Sequence, residues 1–203
     1  MVAVFFVERF MLLNKLAKTV YYCYMSLYNT SNNYSNTSKY YNLDSKFLQN
    51  DISADLLKFF GTNPPIVACV GSDKVMGDFV GTLVAEILKN RGISTYVFGG
   101  VHRPLDKFGV DVLLKKFGQD KLLFVDSGLL AGQNQILVNT KTHLNNGCVI
   151  NSPCIVASTI KMHNGKIMLS AMPFCKILKY STIIANAICD YFSYIDLILN
   201  KSN

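Results

Sequence analysis

The sequence predicts an α/β protein: a three-layer α/β/α sandwich around a mixed, mostly parallel sheet, carrying an N-terminal helical extension. Three observations support this. Between residues 66 and 125, short apolar runs alternate with helix-length amphipathic stretches in the order strand, helix, strand, helix, strand. The first run, Ile66-Val67-Ala68-Cys69-Val70, is apolar without interruption, as a strand covered on both faces should be. Half of the 203 residues are hydrophobic and only 16% are charged, which suits a sizeable core under a thinly charged surface.

Residues 1–28 are apolar and aromatic and read as a helix. Glu8, Arg9, Lys15 and Lys18 interrupt the run well before the roughly 18 uncharged residues of a membrane span, so no transmembrane segment is expected there. An amphipathic helix is the simpler reading, and attachment to a membrane surface is the alternative. Residues 29–43 are rich in Asn, Ser and Tyr and read as a polar linker that cannot build a core. The expected division is an extension over 1–45 and a single domain over 46–203.

Asp44 or Ser45 could cap a helix over 46–60, with Phe47, Leu48, Ile52, Leu56, Leu57 and Phe60 on one face, ended by Gly61 and Pro64-Pro65. After the strand at 66–70 comes a glycine-containing loop, Gly71 to Gly77. A helix over 78–90 follows, with Val80, Leu83, Val84, Ile87 and Leu88 on one stripe. A strand at 95–98 turns at Gly99-Gly100. A helix over 106–117 should face inward with Phe108, Val112, Leu113 and Phe117, and a third strand at 122–125 ends in Asp126-Ser127-Gly128. Strands are then expected at 135–138, 148–150, 155–160 and 167–170. The last two form a hairpin at His163-Asn164-Gly165, and a helix over 173–199 buries Ile177, Ile184, Ile188 and Phe192.

Charge and cysteine usage limit the function classes. The net charge of +7 comes from 20 basic and 13 acidic residues with no lysine run interleaved with aromatics, so no specific nucleic-acid footprint is present. The six cysteines form no Cys-x-x-Cys pair and several lie in apolar runs, which fits a reducing, cytoplasmic setting. The low charge content leaves room for a homo-oligomer.

A unit of this kind commonly has strand order 2-1-3, and ligands bind in the crevice at the carboxyl ends of the two strands where the connections diverge. Asp78 follows the first strand and Asp126 closes the third. Neighbouring strands lie about 4.8 Å apart, so the two carboxyls could converge. At about 5 Å and an effective dielectric of about 20 their repulsion is about 3 kcal/mol, enough for one proton to be shared or retained. One carboxylate could then activate water while the other, protonated, polarises a carbonyl. Alternatively both stay ionised and hold a divalent metal, with His143 as a further ligand. The plainer roles are a helix-start charge for Asp78, a turn bond for Asp126, and loop ordering for Asp73. Gly71, Ser72, Asp73 and Gly77 shape the loop over this crevice. That loop is neither a Rossmann fingerprint nor a Walker loop, and its two aspartates would repel phosphate. Ser127 has no nucleophile elbow around it, and His102, His143 and His163 show no metal-ligand spacing.

Cys69-Val70-Gly71-Ser72-Asp73-Lys74 followed by Gly77-Asp78-Phe79-Val80-Gly81 resembles the opening "CIGTDRSTGDxLGP" segment of YyaC-type sporulation proteins. Phe124-Val125-Asp126-Ser127-Gly128-Leu129 is similar to that family's "IDACLG" strand end, and Val97-Phe98-Gly99-Gly100 to its second-strand segment. The likeness covers residues 65–191. It departs at Thr82, where the family has proline, and at Pro104-Leu105-Asp106, where a proline-valine-histidine segment would stand. That family is similar in fold to the spore germination protease and the hydrogenase-maturation endopeptidases, which have a phosphorylase/hydrolase-like sandwich. The resemblance implies acidic residues at these two sheet positions, either as an atypical aspartic-type pair or as metal ligands. It further implies a protein or peptide substrate and a place in the forespore or spore interior. A catalytically inactive binding or regulatory protein of the sporulation programme on the same fold is the alternative.

Overall fold

The computed structural model describes residues 38–130, 132–143, 149–163, 166–168 and 172–200. The helix expected over 1–28 lies outside these residues. One six-stranded sheet holds β1 (Ser38–Asn42), β2 (Ile66–Cys69), β3 (Val97–Phe98), β4 (Leu122–Gly128), β5 (Gln135–Asn139) and β8 (Cys154–Ser158), in the order β1-β5-β8-β4-β2-β3. The pairs β3–β2, β2–β4 and β4–β8 are parallel, whereas β8–β5 and β5–β1 are antiparallel. The first three strands of the repeating unit therefore take the expected 2-1-3 arrangement.

The helices are α1 (Leu48–Phe60), α2 (Phe79–Asn90), α3 (Lys107–Phe117) and α4 (Phe174–Asn200). The alternation of side chains along each strand divides the core between the two faces of the sheet. Val67, Cys69, Leu123, Val125, Ile155 and Ala157 pack under α1, α2 and α4. Ala68, Leu122, Phe124 and Cys154 pack with Val110 and Leu113 of α3 on the opposite face. Helices on both sides of a mixed sheet make the expected three-layer sandwich. Helix α4 is long and apolar enough by length and composition to cross a membrane. Its stripe of Ile177, Tyr180, Ile184 and Ile188 is fully buried in the first core.

Several expectations are corrected. Ser38–Asn42, inside the stretch read as a linker, is an edge strand whose Tyr40 pairs with Leu137. Its alternating Lys39 and Tyr41 both reach the buried Asp55 of α1, and that anchor between elements leaves no trace in local composition. No side chain caps α1; Leu48 instead donates its N–H to the Ser45 carbonyl, and Phe47 is exposed. Helix α3 is turned relative to the expected face. Phe108 (75% exposed) and Val112 look outward, while Val110 and Leu113 are buried and Leu114 and Phe117 pack at the margin. The expected hairpin of 155–160 with 167–170 is not formed. Cys154–Ser158 lies in the main sheet between β5 and β4, and β9 (Lys161–His163) pairs antiparallel with β10 (Lys166–Met168) in a separate two-stranded sheet. The strand at 149–150, β7 (Val149–Ile150), pairs with β6 (Thr142–His143) outside the main sheet.

Candidate active site

The carboxyl ends of β2, β4 and β8 lie side by side, and the chain leaves them in different directions. Strand β2 ends at Cys69 opposite Val125, and Val70 donates its N–H to the Val125 carbonyl at 2.8 Å. The backbone then bends at Gly71 (φ 148°), runs through the loop and returns as a 3-10 turn, Met76–Asp78, leading into α2. Two glycines permit this close return. A Cβ on Gly71 would strike the carbonyl oxygen of Asp78, and a Cβ on Gly81 would strike that of Val70 while lying 3.1 Å from that of Val125. The first turn of α2 is thus pressed onto the ends of β2 and β4, which puts Asp78 above them. The loop is closed by the Ser72 N–H, which donates to the Asp78 carbonyl (3.1 Å), and by the Thr159 hydroxyl just after β8, which donates to the Gly77 carbonyl (2.5 Å).

Asp126 lies within β4, which continues to Gly128 rather than stopping at this residue as the sequence suggested. It pairs with Val156 of β8, one position beyond the last residue pair that β4 makes with β2. The side of Asp126 that a longer β2 would occupy is therefore where the Gly71–Gly77 loop and Asp78 come back. The Asp126 Oδ1 accepts the N–H of Ser127 at 2.7 Å.

The electrostatics support a shared site. Burial pushes the Asp78 carboxyl up to about 7, opposed by the Ser72 N–H. Burial also raises Asp126 well above the usual carboxylate range. The charge of Asp78 raises it further, against the Ser127 hydrogen bond. Asp78 stands at the position preceding α2, yet its side chain caps no helix N–H. The plainer role of an aspartate at a helix start is thus not the one its carboxyl fills. Around the pair, the buried hydroxyls of Ser127 and Thr82 have no hydrogen-bond partner among the described residues, and such groups call for a bound water or ligand atom.

The structure brings Asp78, Asp126, Gly71, Ser72 and Gly77 together at one edge of the sheet. Asp73 is exposed on the loop, as is His102 on its own loop. His143 ends β6, outside the main sheet, and its side chain lies outside the described part. Among the described residues no group of three or more His, Cys, Asp or Glu side chains could hold a metal ion. Cys69, beneath the loop, is fully buried and its thiol is pushed up by that burial, so it behaves as a core side chain.

Sequence reasoning missed three supports of the site. Thr159 ties β8 to the loop. Leu105 accepts the Gly71 N–H and bridges Val70, laying the 99–106 segment along the end of β2. Glu86 accepts the Val101 N–H at 2.8 Å and Lys89 donates to the Gly99 carbonyl, which fixes that segment to α2. The Gly99-Gly100 turn was the one visible signal: both glycines have positive φ, and a Cβ on Gly100 would meet the Glu86 carboxylate.

The family described as "Protein of unknown function (DUF1256)" matches residues 31–187, a span that takes in β1 and both aspartates. No curated protein and no solved structure matches the chain.

Proposed function

The chain belongs to the DUF1256 family, and from its acidic pair we propose that it is a peptidase-like hydrolase of the germination protease superfamily, related to the YyaC-type sporulation proteins. The observation that supports this reading is the placement of Asp78 and Asp126 together at the carboxyl ends of adjacent parallel strands, where the Gly71–Gly77 loop returns over β4. Burial raises both carboxyls and the charge of Asp78 raises Asp126 further, so the pair gives up its protons in separate steps and passes through a state with one carboxylate ionised and the other protonated. The ionised carboxylate takes a proton from water as the water oxygen attacks the scissile carbonyl. The protonated carboxyl gives its proton to the carbonyl oxygen, and collapse of the tetrahedral intermediate passes a proton to the leaving amine. The substrate is a protein or peptide, and the setting is the cytoplasm of a forespore or spore.

A mixed pool of synthetic octapeptides, followed by mass spectrometry, tests the assignment. Asp78→Asn and Asp126→Asn should each lower cleavage by about a hundredfold or more, and the double variant should lose little beyond either single change. The wild-type profile should rise with pH through about 7. Manganese, nickel or zinc should shift the melting temperature of the wild type no more than that of the variants, because a resident metal would stabilise only the wild type. Cleavage retained by either variant would sink the pair. If the wild type cleaves nothing, the chain becomes a binding or regulatory protein on this scaffold.

A further inference from the structure

Thr159 stands where β8 leaves the sheet. It is fully buried, and its backbone is fastened on both sides. Its N–H is donated to the Ala157 carbonyl at 2.9 Å, and the next residue, Ile160, donates to the Gly128 carbonyl of β4 at 3.2 Å. Ser158 before it is held as well: Tyr180 of α4 donates to its carbonyl, and its hydroxyl donates to the Gly132 carbonyl. The Thr159 hydroxyl therefore acts from a fixed point, and it is donated to the carbonyl of Gly77, the residue before Asp78. The other bonds that shape this loop are local or reach a different element. Ser72 donates to the Asp78 carbonyl, Asp78 to the Val75 carbonyl and Gly71 to the Leu105 carbonyl. Among the described residues, the bond from Thr159 is what fastens the loop to β8, the strand whose Val156 pairs with Asp126.

We propose that Thr159 is a positioning residue: its hydroxyl holds the end of the Gly71–Gly77 loop against β8 and so keeps Asp78 over Asp126. The catalytic consequence rests on the peptidase reading, whereas the placement of Asp78 stands without it. A buried carbonyl deprived of its donor carries the full cost of its lost solvation. Gly77 is buried, and without the Thr159 hydroxyl its carbonyl would lack this donor. The loop has a ready escape, because Asp73, Lys74 and Met76 are already exposed and a small lift lets water reach the carbonyl. Asp78 is the next residue, so it would be carried toward solvent with the lift. Asp126 of β4 is the charged group that interacts with Asp78 from the sheet, while the charged side chains of the loop, Asp73 and Lys74, are exposed. The Thr159 bond is made to the backbone rather than to either carboxyl, so its effect on the pair is one of position.

Thr159→Val keeps the shape and removes the donor, and Thr159→Ser keeps the donor. NMR of the Asp78 carboxyl carbon in the full-length protein reads its placement. In the wild type it should titrate near 7. In Thr159→Val it should titrate lower by about one pH unit or more as water reaches it, and Thr159→Ser should restore the wild-type curve. The Ser72 amide, bonded to the Asp78 carbonyl, should exchange about tenfold faster in the valine variant, with the amides of β4 unchanged. Cleavage of the octapeptides should fall about tenfold in kcat with KM little altered, and recover with serine. A valine variant whose Asp78 titrates as in the wild type overturns the proposal, even if its melting temperature falls. So does a serine variant that leaves the curve unrestored. Should the valine variant not fold, as far-ultraviolet circular dichroism would reveal, Thr159→Cys takes its place: it differs from Thr159→Ser by one atom and donates only weakly. The titration needs no turnover. A wild type that cleaves nothing counts against the peptidase reading, and the Asp78 curve still decides the role of Thr159.

Discussion

Asp78 is lifted to about 7 by burial without a helix cap to compensate it, and Asp126 is lifted further by its neighbour. A carboxyl whose folded pKa exceeds its unfolded value binds more protons in the native state, so stability falls as pH rises through the folded pKa. The rise of Asp78 from 3.8 to about 7 sets an upper bound of about 4 kcal/mol. Both residues are partly exposed, and screening reduces this to roughly 1–3 kcal/mol. Asp78→Asn should therefore raise the melting temperature by several degrees at pH 8 and leave it nearly unchanged at pH 4, as calorimetry at the two pH values would show. Equal shifts at both would mean that the carboxyl is not strained by burial. The same residue scale explains the glycines: Gly71 and Gly81 stand where the carbonyls of Asp78 and Val70 leave no room for a Cβ.

Among the elements, β1 depends most on one contact. Burial drives the Asp55 carboxyl up, but hydrogen bonds from Lys39, Tyr41 and Lys58 outweigh it and leave the group below its ordinary value. A depressed carboxyl stabilises above its unfolded pKa, and that contribution is lost as pH falls through the folded pKa. Asp55→Ala breaks a buried pair, which typically costs 3–5 kcal/mol. Here both lysines are more than a third exposed, so a loss of about 1–3 kcal/mol is expected in urea unfolding at pH 7. The deficit should shrink below pH 4, opposite in sense to the acidic pair. Element identity was legible in the sequence wherever a long amphipathic stripe existed, as in α2 with Val80, Val84 and Leu88 fully buried. In α3 two stripes compete, one through Phe108 and Val112 and one through Val110, Leu114 and Phe117. Periodicity cannot choose between them; the position of Leu105 against Gly109 and the narrow strip of sheet left to cover decide it.

At the scale of the whole molecule the two cores are unequal. Among the described helices, three share the larger one and α3 closes the smaller. Ile184 is fully buried in the middle of α4, so Ile184→Ala should cost about 2–5 kcal/mol in denaturant unfolding. A loss under 1 kcal/mol would mean that α4 is not seated on the sheet as described. The surroundings of the acidic pair depend on the same docking. Ser181 of α4 donates to the Val80 carbonyl and Tyr180 to the Ser158 carbonyl, holding the helix beneath the ends of α2 and β8 that frame the acidic pair.

By itself the sequence determined the α/β class, the strand order around β2 and the two aspartates at the switch point. These follow from short-range information: uninterrupted apolar runs, helical stripes, and glycines beside acidic residues at strand ends. Tertiary structure alone decided the rest. It placed Ser38–Asn42 in the sheet through a lysine and a tyrosine that meet Asp55 across the fold. It released the chain after Ser158 into a separate hairpin and brought Thr159 to Gly77 across 82 residues. It also left the Asp78 carboxyl uncapped beside Asp126. The physical reason is common to all of these: each depends on which buried polar group finds a partner from a distant element, and that pairing exists only once the chain has packed.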